Sequence, residues 1–465
     1  MSNTYTHGPL GPLFVRTALP IIFLMAMNGL LTVVDAIFLG VFVGADALSA
    51  VTLMFPLFML IIALASLVAN GMASVLARHL GANAIEQARA EFVGAHGLSL
   101  IVCAILIALF LAFAQPLILA AANGSQTLAR MGYVYLSISV FSAPIAFALT
   151  IHSTALRVEG KVGLMAITGL LVTLANLGLN YVLIAVMGLG VAGSALGTAI
   201  AQALALAVIL VFRMGKTSPL RLASLDWHRL GTGWPAFLAL GAPQSLSFVG
   251  LSLTSAAVIF MLQSVETEHY DTTIAAYGIV MRITSFAFLI LMGMSQALQA
   301  IIGNNYGAGL WQRSDRILVI ALVCGLIYSA GAEIVLTGLH DQLGGLFVSD
   351  PAVIAEVSRI LPLMMALYVF AGPQIMISTY FQAIGDAPRA AILGLSRTYL
   401  FTLPLTLTLP LVFGETGVWI VSPAAALLML GLTGTILWLS ARRTGRAWGL
   451  FHGRNWVPQS ADLTP

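Results

Sequence analysis

Along this chain apolar residues run in long blocks, and polar residues gather in the short gaps between them. A helix that crosses a ~30 Å hydrocarbon core needs about 20 consecutive, mostly apolar residues. Twelve stretches meet that requirement, near 15–43, 48–77, 96–122, 131–156, 162–187, 190–213, 236–263, 273–303, 317–340, 358–384, 390–413 and 417–441. The pattern therefore predicts an all-α integral membrane protein with 12 transmembrane helices. The first block has no basic leader and no A-x-A cleavage site, and it is longer than a signal-peptide core, so it reads as a permanent span.

The second half of the pattern repeats the first. Ser49-Ala50 meets Ala275-Ala276 and Gly81-Ala82 meets Gly307-Ala308, each at a shift of 226; Gly160 meets Gly385 at 225 and Gly190-Val191 meets Gly417-Val418 at 227. Pro20 meets Pro243 at 223, the drift being absorbed by the longer loop from Glu266 to Asp271. Agreement over five regions points to a duplicated unit. Each copy holds six spans, an even number, so the two six-helix repeats are parallel and form two lobes around a central cleft, an arrangement suited to alternating access. The expected division is an N-lobe over 1–213 (spans 1–6), a cytoplasmic linker over 214–234, a C-lobe over 235–441 (spans 7–12) and a cytoplasmic tail over 442–465.

Composition sharpens this. Of 465 residues, 60% are hydrophobic and 8% charged, against about 25% charged in an ordinary soluble domain. With the N-terminus inside, 16 basic residues fall on the cytoplasmic side, from Arg16 and Arg78 to Arg443 and Arg454, and only Arg130 and Arg359 on the other. By the positive-inside rule both termini are cytoplasmic, in a multi-pass protein of the cell inner (plasma) membrane. The basic loops report topology and give no reason to expect nucleic acid as a partner. Cys103 and Cys324 lie inside spans in different halves, which suits apolar filler better than a disulfide.

Four charges fall inside spans: Asp35, Arg282, Glu333 and Arg397. The last three stand near one face or the other, where a long side chain can snorkel to water. Asp35 is the anomaly, because no other charge lies between Arg16 and Asp46 to share the insertion penalty, about 3 kcal/mol on translocon scales. Asn28, Thr32 and Asp35 recur at i, i+4 and i+7, one stripe facing protein rather than lipid and a candidate cleft lining. Asn176 and Asn180 sit one turn apart in the fifth span, and Ser194 and Thr198 do so in the sixth. The bland reading of the amides is helix-to-helix glue.

The duplication provides an internal control. Carried forward, Asp35 lands among Val258, Ile259, Phe260 and Met261, Asn176 and Asn180 near Thr402 and Thr406, and Thr198 near Ala425. Packing glue demanded by the fold would be needed in both halves. Its concentration in the first points to one asymmetric cation site, where an apolar surround penalises a bare carboxylate and amide and hydroxyl oxygens offer ligands to a hard cation such as sodium.

In order and spacing, these strings resemble the MATE (multidrug and toxic compound extrusion) family over roughly residues 12–441: Ala18 to Pro20 followed by VVDAIFLG, Gly81-Ala82, LRVEGK (Leu156 to Lys161), NLGLN (Asn176 to Asn180), GVAGSALGTAIAQ, YGIVMRI and GNNYGAG. The resemblance implies cation-coupled antiport, with protons or sodium entering as lipophilic, often cationic compounds leave, and no cofactor beyond the coupling ion. It matches Asp35 to the family's first-helix acid, Asn176 and Asn180 to its fifth-helix polar pair, Thr198 to its sixth-helix hydroxyl, and Pro20 to the proline at which that helix bends. Many relatives carry an acid where this chain has Asn180, and one branch uses acids in the seventh and tenth helices, where the regions around Leu251 and Gly372 have none. The chain thus resembles the DinF-like branch more closely, and a single carboxylate favours a proton over sodium. The expected partners are small-molecule drugs or metabolites and membrane lipids, for a monomer.

Other signals carry less. Gly215-Lys216-Thr217 lacks the glycine that a phosphate-binding loop needs at position 210, which is Leu. Asn123-Gly124-Ser125 is a chance sequon, and His79, His96 and His152 show no metal spacing. The 18 Met and many Phe fit membrane packing more simply than an adaptable cleft. A flippase or exporter of lipid-linked or metabolite substrates would want cationic rows along the cleft, where only Arg282 and Arg397 stand. A membrane-embedded enzyme would need a nucleophile–base pair or a metal site, and Asp35 has no such companion.

Overall fold

The structure, a computed structural model, describes residues 3–215, 218–265 and 269–452, apart from the side chains of Thr32 and Val33. Thr32, Lys216 and Thr217 of the linker, Glu266, and the tail beyond His452 with Arg454 thus lie outside the described residues. Among those described, the regular elements are helical and no strand occurs, only an isolated bridge between Ala447 and Phe451.

The chain runs through α1 (Leu10–Phe42), α2 (Ala45–Gly81), α3 (Ile85–Ala121), α4 (Gln126–Val158), α5 (Val162–Val186), α6 (Gly190–Met214), α7 (Trp234–Ser264), α8 (Tyr270–Gly307) and α9 (Trp311–Gly338). It continues through α10 (Pro351–Met365), α11 (Ala371–Ile384), α12 (Ala387–Phe413) and α13 (Val421–Thr444). Among the described residues, eleven helices are long and apolar enough to cross a membrane, and twelve if the pair at Pro351–Met365 and Tyr368–Ile384, bent by 46°, forms one broken span. That pair covers the tenth stretch marked in the sequence.

The duplication reappears in the turns. Gly160 and Gly385, matched at a shift of 225, both adopt a left-handed backbone, with φ of 78° and 89°. A residue with a Cβ is penalised there, which explains why glycine recurs.

The chain packs as two compact units, one of Met1–His7 and Phe23–Ser245, the other of Gly8–Ile22 and Leu246–Pro465. The lobes expected at 1–213 and 235–441 therefore have displaced edges: residues 8–22 group with the second half, and 214–245 with the first. The physical reason is that α1 and α7 each change unit partway along. Both changes fall two residues after a proline, Pro20 and Pro243, which lacks the N–H of an interior helical bond.

In the first unit, Met54, Ile61, Cys103, Phe110, Ile118, Leu136 and Phe147 form a core between α2, α3 and α4. The segment after α6 is tied onto this bundle. Arg213 is fully buried, pairs with Glu159 at 2.9 Å and donates to Ser218 Oγ, whose hydroxyl donates to Glu159 at 2.7 Å. Arg89 Nε donates to the carbonyl of Pro219, and Trp234 Nε1 to that of Gly94. A Cβ on Gly94 would stand 2.0 Å from the carbonyl oxygen of Thr232, so this close approach needs glycine. The linker residues seen here are thus part of the first unit, and the region is not a free tether. In the second unit Leu262, Tyr277, Val280, Ile360, Leu361 and Trp419 form the corresponding core. Cys103 and Cys324 are both free thiols, Cys103 buried in the first core.

Candidate functional site

Three helices of the first unit bring the expected residues together. Asp35, half-buried on α1, accepts a hydrogen bond from Asn180 Nδ2 of α5 at 2.5 Å. Asn176 and Asn180 are both 0% exposed, so their amides must be satisfied within the protein. Asn176 occupies the centre of the cluster, and its amide fits two ways. In one orientation it donates to Thr198 Oγ1 of α6 at 2.8 Å and accepts from Asn180 Nδ2 at 3.0 Å. Turned over, it donates to Asp35 Oδ1 at 3.0 Å and accepts from the Thr198 hydroxyl at 2.8 Å and the Thr198 amide at 3.2 Å, but its nitrogen then faces Asn180 Nδ2, another donor, at 3.0 Å.

Two local features shape the cluster. Directly after Asn180, α5 changes from α- to π-helical over Tyr181–Val186, and such bulges are frequent at functional sites. Gly197 lets α6 approach, since a Cβ there would meet Asn180 Oδ1 at 2.4 Å. That oxygen is buried and has no hydrogen-bond partner among the described residues, which is unusual because an unpaired buried acceptor is normally penalised by about 1–3 kcal/mol.

Thr198 also lines a cavity of 190 Å³ within the first unit, together with Phe58 of α2, Tyr135, Ser139 and Ser142 of α4, and Gln202 of α6. The hydroxyls of Ser139 and Ser142 donate to the carbonyls of Tyr135 and Ile138 in their own helix. Their oxygens therefore present acceptor faces. No charged side chain lines the cavity.

The remaining sequence candidates lie apart from this cluster. Asn28 is exposed on α1, and seven residues of helix, about 10 Å, separate it from Asp35. Thr32 belongs to the same stripe, but its side chain is outside the described residues. Pro20 lies in the part of α1 that groups with the second unit, and the helix is continuous through it. Arg282 is exposed and Arg397 half-buried.

Glu333 is not a snorkelling charge. Its carboxylate accepts from the backbone amides of Leu367 at 3.0 Å and Val369 at 2.7 Å, in the break between α10 and α11, where Leu367 has a φ of 66°. Ser329, one turn earlier on α9, accepts from the amide of Gly372 at 3.0 Å. The regions around Leu251 and Gly372 have no acid, but the ninth span supplies one to the break in the tenth. The sequence signal was an unmatched acid: the position 225 residues before Glu333 is Ala108. Among the described residues no group of three or more His, Cys, Asp or Glu could hold a metal.

The chain is similar to known proteins along nearly its whole length. The MatE family model matches residues 20–182 and 243–408, one copy in each half, beginning at the paired prolines. The FAD transporter of Shewanella oneidensis is 27% identical over 91% of this chain and 94% of its own length. The multidrug export protein MepA of Staphylococcus aureus is 25% identical over 89% and 90%. Among solved structures, a multidrug resistance MATE family transporter in an outward-facing conformation has a TM-score of 0.84 at 22% identity, covering 94% of this chain and 97% of that one. A MATE protein in complex with MaL6 has a TM-score of 0.83 at 23% identity, with the same coverage. With both halves matched by the family model and the fold shared end to end, the chain belongs to the MATE family and is a multi-pass membrane transporter, not an enzyme.

Proposed function

We propose that this protein is an antiporter that exports lipophilic or cationic compounds by alternating access, driven by a cation received at Asp35. The observation that carries this reading is the Asp35–Asn180–Asn176–Thr198 cluster, in contact through Thr198 with an uncharged, hydroxyl-lined cavity.

The close approach of Asp35 to Asn176 favours a proton over sodium. A protonated Asp35 can donate its hydroxyl to Asn176 Oδ1, 3.0 Å away, in the orientation in which that oxygen also accepts from Asn180 Nδ2 and the Asn176 nitrogen donates to Thr198. A second reading, sodium, rests on the unpartnered oxygen of Asn180, which is a ready ligand for a hard cation beside a carboxylate.

The cavity wall supports cargo that is neutral or cationic, since acceptor oxygens and aromatic rings meet such compounds and no arginine or lysine is there to hold an anion. The likeness to an FAD transporter suggests an anionic cargo, against which the uncharged wall argues. A place in the cell inner membrane with both termini cytoplasmic fits the charge distribution. The test is efflux in vesicles under a pH gradient or a sodium gradient imposed separately. Uphill export under the pH gradient alone is expected; export driven only by sodium would replace the proton reading, and export under neither would remove the coupling.

A further inference from the structure

A second feature lies in the other unit. At the start of α9 an open groove of about 640 Å³ runs between the residues leading into α1, Gly8 to Gly11, and the α9 residues Arg313, Arg316, Val319 and Ile320. That volume is within the range of small-molecule sites, about 300–1,000 Å³. Its upper part is cationic. Arg313 donates through Nη1 to the carbonyl of Gly8 at 3.1 Å and through Nε to Asn305 Oδ1 at 3.1 Å, both neutral acceptors. Its remaining nitrogen, Nη2, is buried and has no partner among the described residues. Arg316 is exposed and makes no ion pair among them. Asp315, the acid of the groove, is committed elsewhere: its two oxygens meet the ring and the backbone amide of His452, each at 2.9 Å.

The lower part is apolar. Val319 lies one turn below Arg316 and opens a strip of exposed side chains, Val319, Val323, Leu326 and Ile327, at helical spacing along a membrane-spanning helix. Two arginines at the mouth of a span, above an apolar strip, match an anionic head with a hydrocarbon tail. Basic pockets beside spans bind such headgroups, and arginine suits phosphate through its forked donors. The first turn of α1, whose backbone N–H groups lack helical partners, adds to the positive potential.

We propose that this groove binds an anionic phospholipid, with its phosphate on Arg313 and Arg316 and an acyl chain along the Val319–Ile327 strip of α9. The site joins α1 to α9 and is independent of the ion reading at Asp35.

The test is titration of the purified full-length protein in detergent with phosphatidylglycerol and with phosphatidylcholine of the same acyl chains, counting bound lipid by native mass spectrometry. One phosphatidylglycerol should be retained in preference to phosphatidylcholine. Arg316→Gln should weaken it about fivefold, and the Arg313→Gln/Arg316→Gln pair about 25-fold, one such factor for each basic residue near a membrane surface. Arg221→Gln, an exposed linker arginine of the first unit, should leave it unchanged. Equal retention of the two lipids, or an equal loss with Arg221→Gln, would overturn the proposal. So would displacement by millimolar inorganic phosphate, which would make the groove a phosphate site. Should Arg313→Gln lower stability through its bonds to Gly8 and Asn305, Arg316→Gln alone decides.

Discussion

At the scale of single residues, the coupling proposed for the first unit rests on one carboxylate and the groups that hold it. Asp35→Asn preserves shape and removes the ion; in cells deprived of other exporters it should reduce dye efflux to the level of cells lacking the protein, with normal membrane insertion. The duplicate supplies the control. Thr402 and Thr406, the counterparts of Asn176 and Asn180, donate to the carbonyls of Arg397 and Thr402 in their own helix, so Thr402→Val and Thr406→Val should leave efflux near the parental rate. An equal loss there would remove the asymmetry. Gly197→Ala is the sharper probe, because its methyl would collide with Asn180 Oδ1. Overpacking of this kind costs about 1–3 kcal/mol; transport should fall well before the protein unfolds, and parental coupling in this variant would show that Asn180 need not hold Asp35. This cluster was legible in the sequence, since polar residues in an apolar helix are conspicuous and helical spacing assigns them to one face. The approach of Asn176 to both Asp35 and Thr198 was not legible, because it depends on distances across three helices.

At the scale of elements, agreement between sequence and structure is closest where structure is local. Apolar block lengths and left-handed glycines mark spans and turns directly, and Gly160 and Gly385 identify equivalent corners 225 residues apart. The break between α10 and α11 was not legible, because what stabilises it comes from another helix. Glu333 reaches from 34 and 36 residues away to the amides of Leu367 and Val369, satisfying donors that a broken helix would otherwise leave unpaired. The continuous helix α4 is its counterpart in the first unit and needs no such acid. Glu333→Ala should therefore destabilise the protein by about 1 kcal/mol, toward the lower end of the penalty for unpaired donors because these two are half-buried, measured as a lower midpoint of thermal unfolding in detergent. Glu333→Gln keeps one acceptor and should recover part of the loss. If alanine and glutamine were both neutral, the carboxylate would not be what holds the break.

At the scale of the whole molecule, the duplicated halves of the sequence and the compact units of the structure do not coincide. The family model and the internal repeat both divide the chain between the halves, whereas the compact units trade residues 8–22 one way and 214–245 the other. Sequence comparison cannot detect this, because the exchange is the same in both copies and leaves the pattern of apolar blocks unchanged; only Pro20 and Pro243 mark where it happens. A physical consequence can be tested by dividing the protein after Gly215. The N-terminal fragment would then lack the segment anchored by Ser218 on Glu159, Pro219 on Arg89 and Trp234 on Gly94, and Arg213 and Glu159 would lose Ser218 as a shared partner while remaining buried. The ion pair itself would survive, but leaving its buried groups short of a hydrogen-bond partner is penalised by about 1–3 kcal/mol. The C-terminal fragment would likewise lack the first half of α1. Neither fragment should fold alone, as judged by aggregation on detergent extraction, whereas co-expressed fragments should copurify and recover dye efflux. Independent folding of either fragment with parental stability would mean that the exchanged segments are dispensable, and that the two sequence repeats are the true folding units.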